Sequence, residues 1–337
     1  MRPSTKPRSG TLAATLVSMV LAAAACSPNQ SPPASGPAGS PGASTTAACQ
    51  TAPSVPDGLA GWAAPATPPA VTPIIIASPG ELVCGSNRIL FTFIDANSRP
   101  LGAPNRPARV AFFDLARDPN TPISTRDGTF VWAIENERGD YIVNQAFTEA
   151  GRYGAEFTFS PDGSSATPIR LTFDVQPSSP VVKVGDHAPA SRTPTLADVG
   201  GDVTHISSDA TPDPAFYQTS VAQALAAHQP FVLIFATPKF CVSAQCGPTL
   251  DRIKPYVTKY PTVTFINVEP YKLKLVGGDL QADTDASGQL QSAPATDEWH
   301  LLSEPNVFVV NRDGIVTANF ELIFSDAELT AALDAIK

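Results

Sequence analysis

A change in the period of the apolar residues constrains this chain more than any other feature. Up to Val175 the period is two: Tyr153, Ala155, Phe157 and Phe159 alternate with Arg152, Gly154, Glu156 and Thr158. Ile169, Leu171, Phe173 and Val175 alternate in the same way with Arg170, Thr172 and Asp174. Successive side chains of a strand point to opposite faces, so this alternation predicts strands buried on one side. Further strand candidates are Arg88–Ile94, Ala108–Leu115, Thr129–Ile134 and Tyr141–Phe147. Turn signals separate them at Arg126-Asp127-Gly128, Arg138-Gly139-Asp140 and Pro161-Asp162-Gly163. About seven short strands with no helical period predict an all-β sandwich over residues 71–177, with Trp132 a core residue rather than a site.

Beyond the short linker Pro177–Pro180 the pattern alternates. Ser220–His228 reads as an amphipathic helix, Phe231–Ala236 as a buried strand, Pro248–Lys259 as a helix and Thr262–Val268 as a second buried strand. A polar stretch at Gly277–Pro294 leads to a helical turn at Asp297–Leu302 and to strands Asn306–Asn311 and Ile315–Phe320. The last helix opens with Ser325 and Glu328, a capping box. This order predicts an α/β sheet with helices on its faces over residues 181–337, and so a multidomain chain.

The first 25 residues read as a signal peptide. Arg2, Lys6 and Arg8 precede an uncharged, mostly apolar run from Thr11 to Ala25, too short to cross a bilayer as a mature helix. Leu21-Ala22-Ala23-Ala24-Ala25-Cys26 resembles a bacterial lipobox. That resemblance implies acylation of Cys26 and export to the outer face of the cytoplasmic membrane, with the lipid as the membrane partner. Cleavage after an Ala-x-Ala site, with Cys26 a bystander, is the alternative and also implies export.

Residues 26–70 are rich in Pro, Ala, Ser, Gly and Thr, with Asp57 their only charge, and read as an extended tether. The whole chain carries −9, and losing the three basic groups of the leader makes it more acidic still. That sign argues against nucleic acid and against electrostatic adhesion to anionic lipid.

Two stretches carry the chemistry. Phe231 to Pro248 places Cys241 and Cys246 directly after a buried strand, and Trp299 to Gly314 places Pro305 just before another. Together they resemble the thioredoxin-like family over roughly residues 184–337, and residues 71–177 are similar to immunoglobulin-like surface modules without their Cys…Trp…Cys spacing. The first resemblance implies a cis Pro305 facing the cysteines and thiol–disulfide exchange or redox sensing at Cys241/Cys246. It implies an exported thiol protein as partner, and no cofactor or resident metal.

Two alignments compete. Cys241 and Cys246 form the pair with four residues between them, or Cys246-Gly247-Pro248-Thr249 matches Cys-Gly-Pro-Cys with Thr249 in the second position. A thiol at a helix start meets unpaired N–H groups and the positive end of the helix dipole, which favours Cys246 as the more thiolate-like sulfur. Glu269 and Glu304 lie at the ends of segments that should approach the cysteines as proton acceptors, outside the catalytic set.

A static staple on a non-catalytic interaction scaffold is the main alternative. Sco-type copper chaperones suggest a third reading, in which His300 joins the sulfurs. Val184-Gly185-Asp186-His187-Ala188-Pro189 resembles the opening of peroxiredoxins, but the peroxide loop is not reproduced. Cys49 and Cys84 remain. An oxidising compartment favours joining them, while free thiols or an intermolecular bridge stay open.

Overall fold

The computed structural model describes residues 49–337 except 68, 79–80 and 162–167. The signal peptide, the lipobox, Cys26 and residues 26–48 of the tether lie outside the described residues. No helix among the described residues is long and apolar enough to cross a membrane.

Two sheets face each other in the first half. One holds β1 (Gln50–Thr51), β4 (Ala108–Asp114), β5 (Ser124–Asp127), β8 (Glu149–Phe159) and β9 (Ile169–Val175). Its spine is β8, paired antiparallel with both β4 and β9 and joined by a short parallel pairing to β1. The other runs β2 (Val71–Ile76), β3 (Gly85–Asp95), β7 (Arg138–Phe147) and β6 (Thr129–Ile134), antiparallel throughout. The inward residues of both sheets form one core: Phe91 and Phe93 from β3, Phe112 from β4, Tyr141 and Phe147 from β7, Tyr153 and Phe157 from β8. Phe93 stacks on Phe159 at 3.9 Å between ring centroids. Each aromatic contact of this kind adds about 0.5–1.5 kcal/mol to the burial of its area. Trp132 is half-buried against Phe130.

The stretch 49–70 departs from the tether expected there. Trp62 is buried, packs on Phe113 at 4.9 Å and lies beneath the Arg170 guanidinium at 4.7 Å, with its indole N–H donated to Pro119 O at 3.0 Å. One large ring and a disulfide at Cys49 outweigh the ordering entropy of a Pro/Ala-rich segment.

The C-terminal part is built on a sheet of order β11 (Thr264–Val268), β10 (Phe231–Phe235), β14 (Asn306–Val310) and β15 (Val316–Glu321). β10 and β11 are parallel and the other pairs antiparallel. Every residue of β10 is buried. Val232 and Ile234 face a core shared with α2 (Cys246–Lys259) and α4 (Asp326–Asp334). Phe231, Leu233 and Phe235 face another with Trp299, Val221 and Phe308.

The expected fold class, an immunoglobulin-like sandwich followed by an α/β thioredoxin-like domain, needs correction. The described chain is mostly β, with 36% strand against 16% helix arranged in four sheets, and it does not form a regular α/β alternation. Three causes are local. The helix expected at Ser220–His228 shrinks to α1 (Val221–Ala226), because His228 turns left-handed (φ 50°) ahead of Gln229-Pro230. The turn expected at Asp297–Leu302 becomes the five-residue α3 (Pro294–Glu298). The polar stretch after Tyr271 forms a separate hairpin of β12 (Leu273–Val276) and β13 (Asp279–Ala282). Gly277 and Gly278 both take positive φ at its tip, as a tight two-residue hairpin loop demands.

The two halves meet through buried contacts. Leu322 and Ile323 cover Leu90, Val131 and Ile142 on the outer face of the sandwich. Arg88 of β3 pairs with Glu328 at 2.7 Å and donates to Ile323 O at 2.8 Å. Burial alone would raise the Glu328 carboxyl, but Arg88 and the Ser325 cap overcome that and hold it below its usual range.

Candidate functional site

The chain leaves β10 at Ala236, turns at Thr237 and reaches Cys241 before α2 begins at Cys246. The two cysteines are joined in a disulfide, with Cα atoms 6.1 Å apart. Their environments differ sharply. Cys246 is 0% exposed and sits in the core beside Leu250 and Ile253, whereas Cys241 lies partly open on the loop.

The hydrogen bonds converge on the open sulfur. Cys246 N–H, at the first position of α2, donates to Cys241 Sγ at 3.3 Å, and the Ser243 hydroxyl lies 3.3 Å from the same atom. The Cys246 N–H thus favours charge on Cys241 rather than on Cys246, the sulfur that the sequence pointed to. The helix start belongs to Cys246, but its free N–H points at Cys241, and burial of Cys246 disfavours a charge there.

The loop is held from the opposite side by Glu304. Val242 N–H donates to Glu304 Oε1 at 3.2 Å, and the Ser243 hydroxyl donates to Glu304 O at 3.0 Å. The next peptide, Glu304–Pro305, is cis. Pro305 therefore follows directly on the residue that clasps the cysteine loop. Tyr271 faces the same carboxylate; burial first, and then the charge of Glu304, push its hydroxyl pKa upward. Ala244, between the cysteines, is left-handed with φ 59°, a conformation an alanine adopts only at a cost. Val242 beside it is 83% exposed, so the approach to Cys241 is open and apolar.

The other expected residues are dispersed. Glu269 lies past the end of β11, 7% exposed, with its Oε1 accepting from Ser208 N–H at 2.6 Å, and it makes no hydrogen bond to either sulfur. His300 is exposed after α3. Among the described residues no group of three or more His, Cys, Asp and Glu side chains could hold a metal. Cys49 and Cys84 are joined in the second disulfide. Sequence reasoning passed over Ser243 and Tyr271; a hydroxyl between two cysteines was the available signal for the first, and nothing local marked the second.

No known family profile and no curated protein matches this chain. Among solved structures it is similar to the filamin domain of Lin-41, at 16% identity over 33% of this chain and 98% of that one, with a TM-score of 0.21.

Proposed function

We propose that this is an exported, lipid-anchored protein that exchanges disulfides with a thiol partner through Cys241 and Cys246. The observation that carries the reading is the asymmetry of the pair: one sulfur open and hydrogen-bonded, the other sealed in the core. An incoming thiolate reaches Cys241 Sγ and forms a mixed disulfide, while the Cys241–Cys246 bond breaks and Cys246 leaves with the electron pair and takes up a proton. The second thiol of the partner then attacks its own sulfur in the mixed disulfide, giving up its proton. Cys241 leaves as a thiolate stabilised by Cys246 N–H, and by the Ser243 hydroxyl once its proton turns from Glu304 O. The partner dithiol loses two electrons and the protein pair gains them; the steps run backwards when the pair starts reduced.

Equilibration of the full chain with glutathione buffers, read by differential alkylation and peptide mapping, tests this. A potential above about −300 mV for Cys241–Cys246, with a mixed disulfide accumulating on Cys241 in Cys246→Ala, supports exchange. A lower potential with no trapped adduct leaves a structural staple on an interaction scaffold. The anchor has its own test: Cys26→Ala should move the protein out of the membrane fraction and abolish labelling by radioactive palmitate.

A further inference from the structure

A cavity of about 310 Å³ opens at the carboxyl end of β11, which runs parallel to β10. Crevices at such strand ends are where open sheets hold ligands, and this volume falls at the lower end of small-molecule sites. Its floor carries two buried acceptors without partners, Asn267 Oδ1 and Glu269 Oε2, on side chains 1% and 7% exposed. The Asn267 amide is oriented by its Nδ2, which donates to Ala236 O at 3.4 Å, so its oxygen is the atom left over. Glu269 is fixed through its other oxygen by Ser208 N–H. A buried polar atom with no partner costs about 1–3 kcal/mol, so two on one floor call for an occupant that brings donors.

The rim has the opposite character. Arg192 and Lys272 are exposed there and form no ion pair with a carboxylate among the described residues. His205 lines the same mouth and is 3.5 Å from Asp202. Acceptors at the bottom and cations at the mouth complement a molecule with an ammonium at one end and a carboxylate at the other.

We propose that this cavity binds a small amino-carboxylate zwitterion, a free α-amino acid being its simplest form. The ammonium donates to Glu269 Oε2 and Asn267 Oδ1, and the carboxylate meets Arg192 and Lys272. Burial raises the Glu269 carboxyl, against the lowering effect of Thr237 and Ser208. A bound ammonium stabilises its charged form. The site does not depend on the disulfide exchange proposed above.

The test uses the full exported chain and a panel of L-amino acids at millimolar concentration. At least one should raise Tm by about 2 °C or more and give a saturable titration by calorimetry. Its N-acetyl derivative, which lacks the ammonium, should not bind. Arg192→Met, an exposed change, should weaken binding about tenfold through loss of a charge-assisted hydrogen bond, and Glu269→Gln should abolish it. If Glu269→Gln fails to fold, the N-acetyl control and Arg192→Met decide. No binding across the panel, equal binding of the N-acetyl form, or an unchanged affinity in Arg192→Met overturns the proposal and leaves ordered water as the occupant.

Discussion

The Cys49–Cys84 bond spans 35 residues of sequence and the Cys241–Cys246 bond spans 5. Loop-closure arithmetic assigns ~4 kcal/mol to the first and ~2 kcal/mol to the second. The first bond fixes a Pro/Ala-rich segment, with β1 and Trp62 behind it, onto a sandwich that already has its own aromatic core. The second closes a loop that Glu304, Ser243 and the start of α2 also hold. A bond whose opening leaves its surroundings in place suits repeated making and breaking, whereas one that shares with β1 and Trp62 the retention of a whole segment does not.

The strongest challenge to this contrast is removal of each bond in turn. Cys49→Ala with Cys84→Ala should cost ~4 kcal/mol in urea unfolding, with early loss of protection around Trp62 in hydrogen exchange. Cys241→Ala with Cys246→Ala should cost about half as much, ~2 kcal/mol, with the sandwich signals unchanged. If the second loss equals the first, the division between staple and exchanging pair fails.

A pH titration probes the ground between the two bonds. Glu321 of β15 meets Glu81 of the sandwich, and both carboxylates share the Ser303 hydroxyl, at 2.9 Å and 3.4 Å. Burial, and then Glu81, push the Glu321 carboxyl up to about 9. The folded state therefore holds a proton that the unfolded chain releases near its ordinary value, so stability falls as pH rises from about 4.5 to about 9. Glu321→Gln should flatten that slope and gain on the order of 1 kcal/mol at pH 8, measured by urea unfolding across the range.

The smallest expected effect sharpens the chemistry. Ser243→Ala removes a hydroxyl 3.3 Å from Cys241 Sγ that can turn its proton from Glu304 O to a thiolate, and should slow alkylation of the reduced pair at neutral pH by about 3- to 10-fold. Cys49 and Cys84 should alkylate unchanged in the same variant.

Much of the sandwich was legible because alternation survives where one face is buried. Residues 169–175 match β9, and 129–134 match β6. The short strands were not. β1 is two polar residues long and draws its place from a parallel partner and a disulfide, neither of which leaves a local pattern. Trp62 was a visible exception in its segment, overridden by the composition around it. Gly277-Gly278 between Leu-rich flanks was a readable hairpin signal, lost within a polar stretch. At the disulfide, residue types and position were readable, but exposure was not. Which sulfur is sealed depends on how α2 packs against β10, and that is set by Leu250 and Ile253 several residues away.

Arg252, near the middle of α2, gives its guanidinium to Phe324 O and, at 3.1 Å, to Trp132 O of the sandwich. The helix is thereby clamped at midspan to a second body. Any change in sulfur separation on reduction must then be absorbed by segment 237–245, while Cys246 stays stationary like the fixed jaw of a vice. Cys241 is then the moving jaw, and its travel is limited by the grip of Glu304 on Val242 and Ser243.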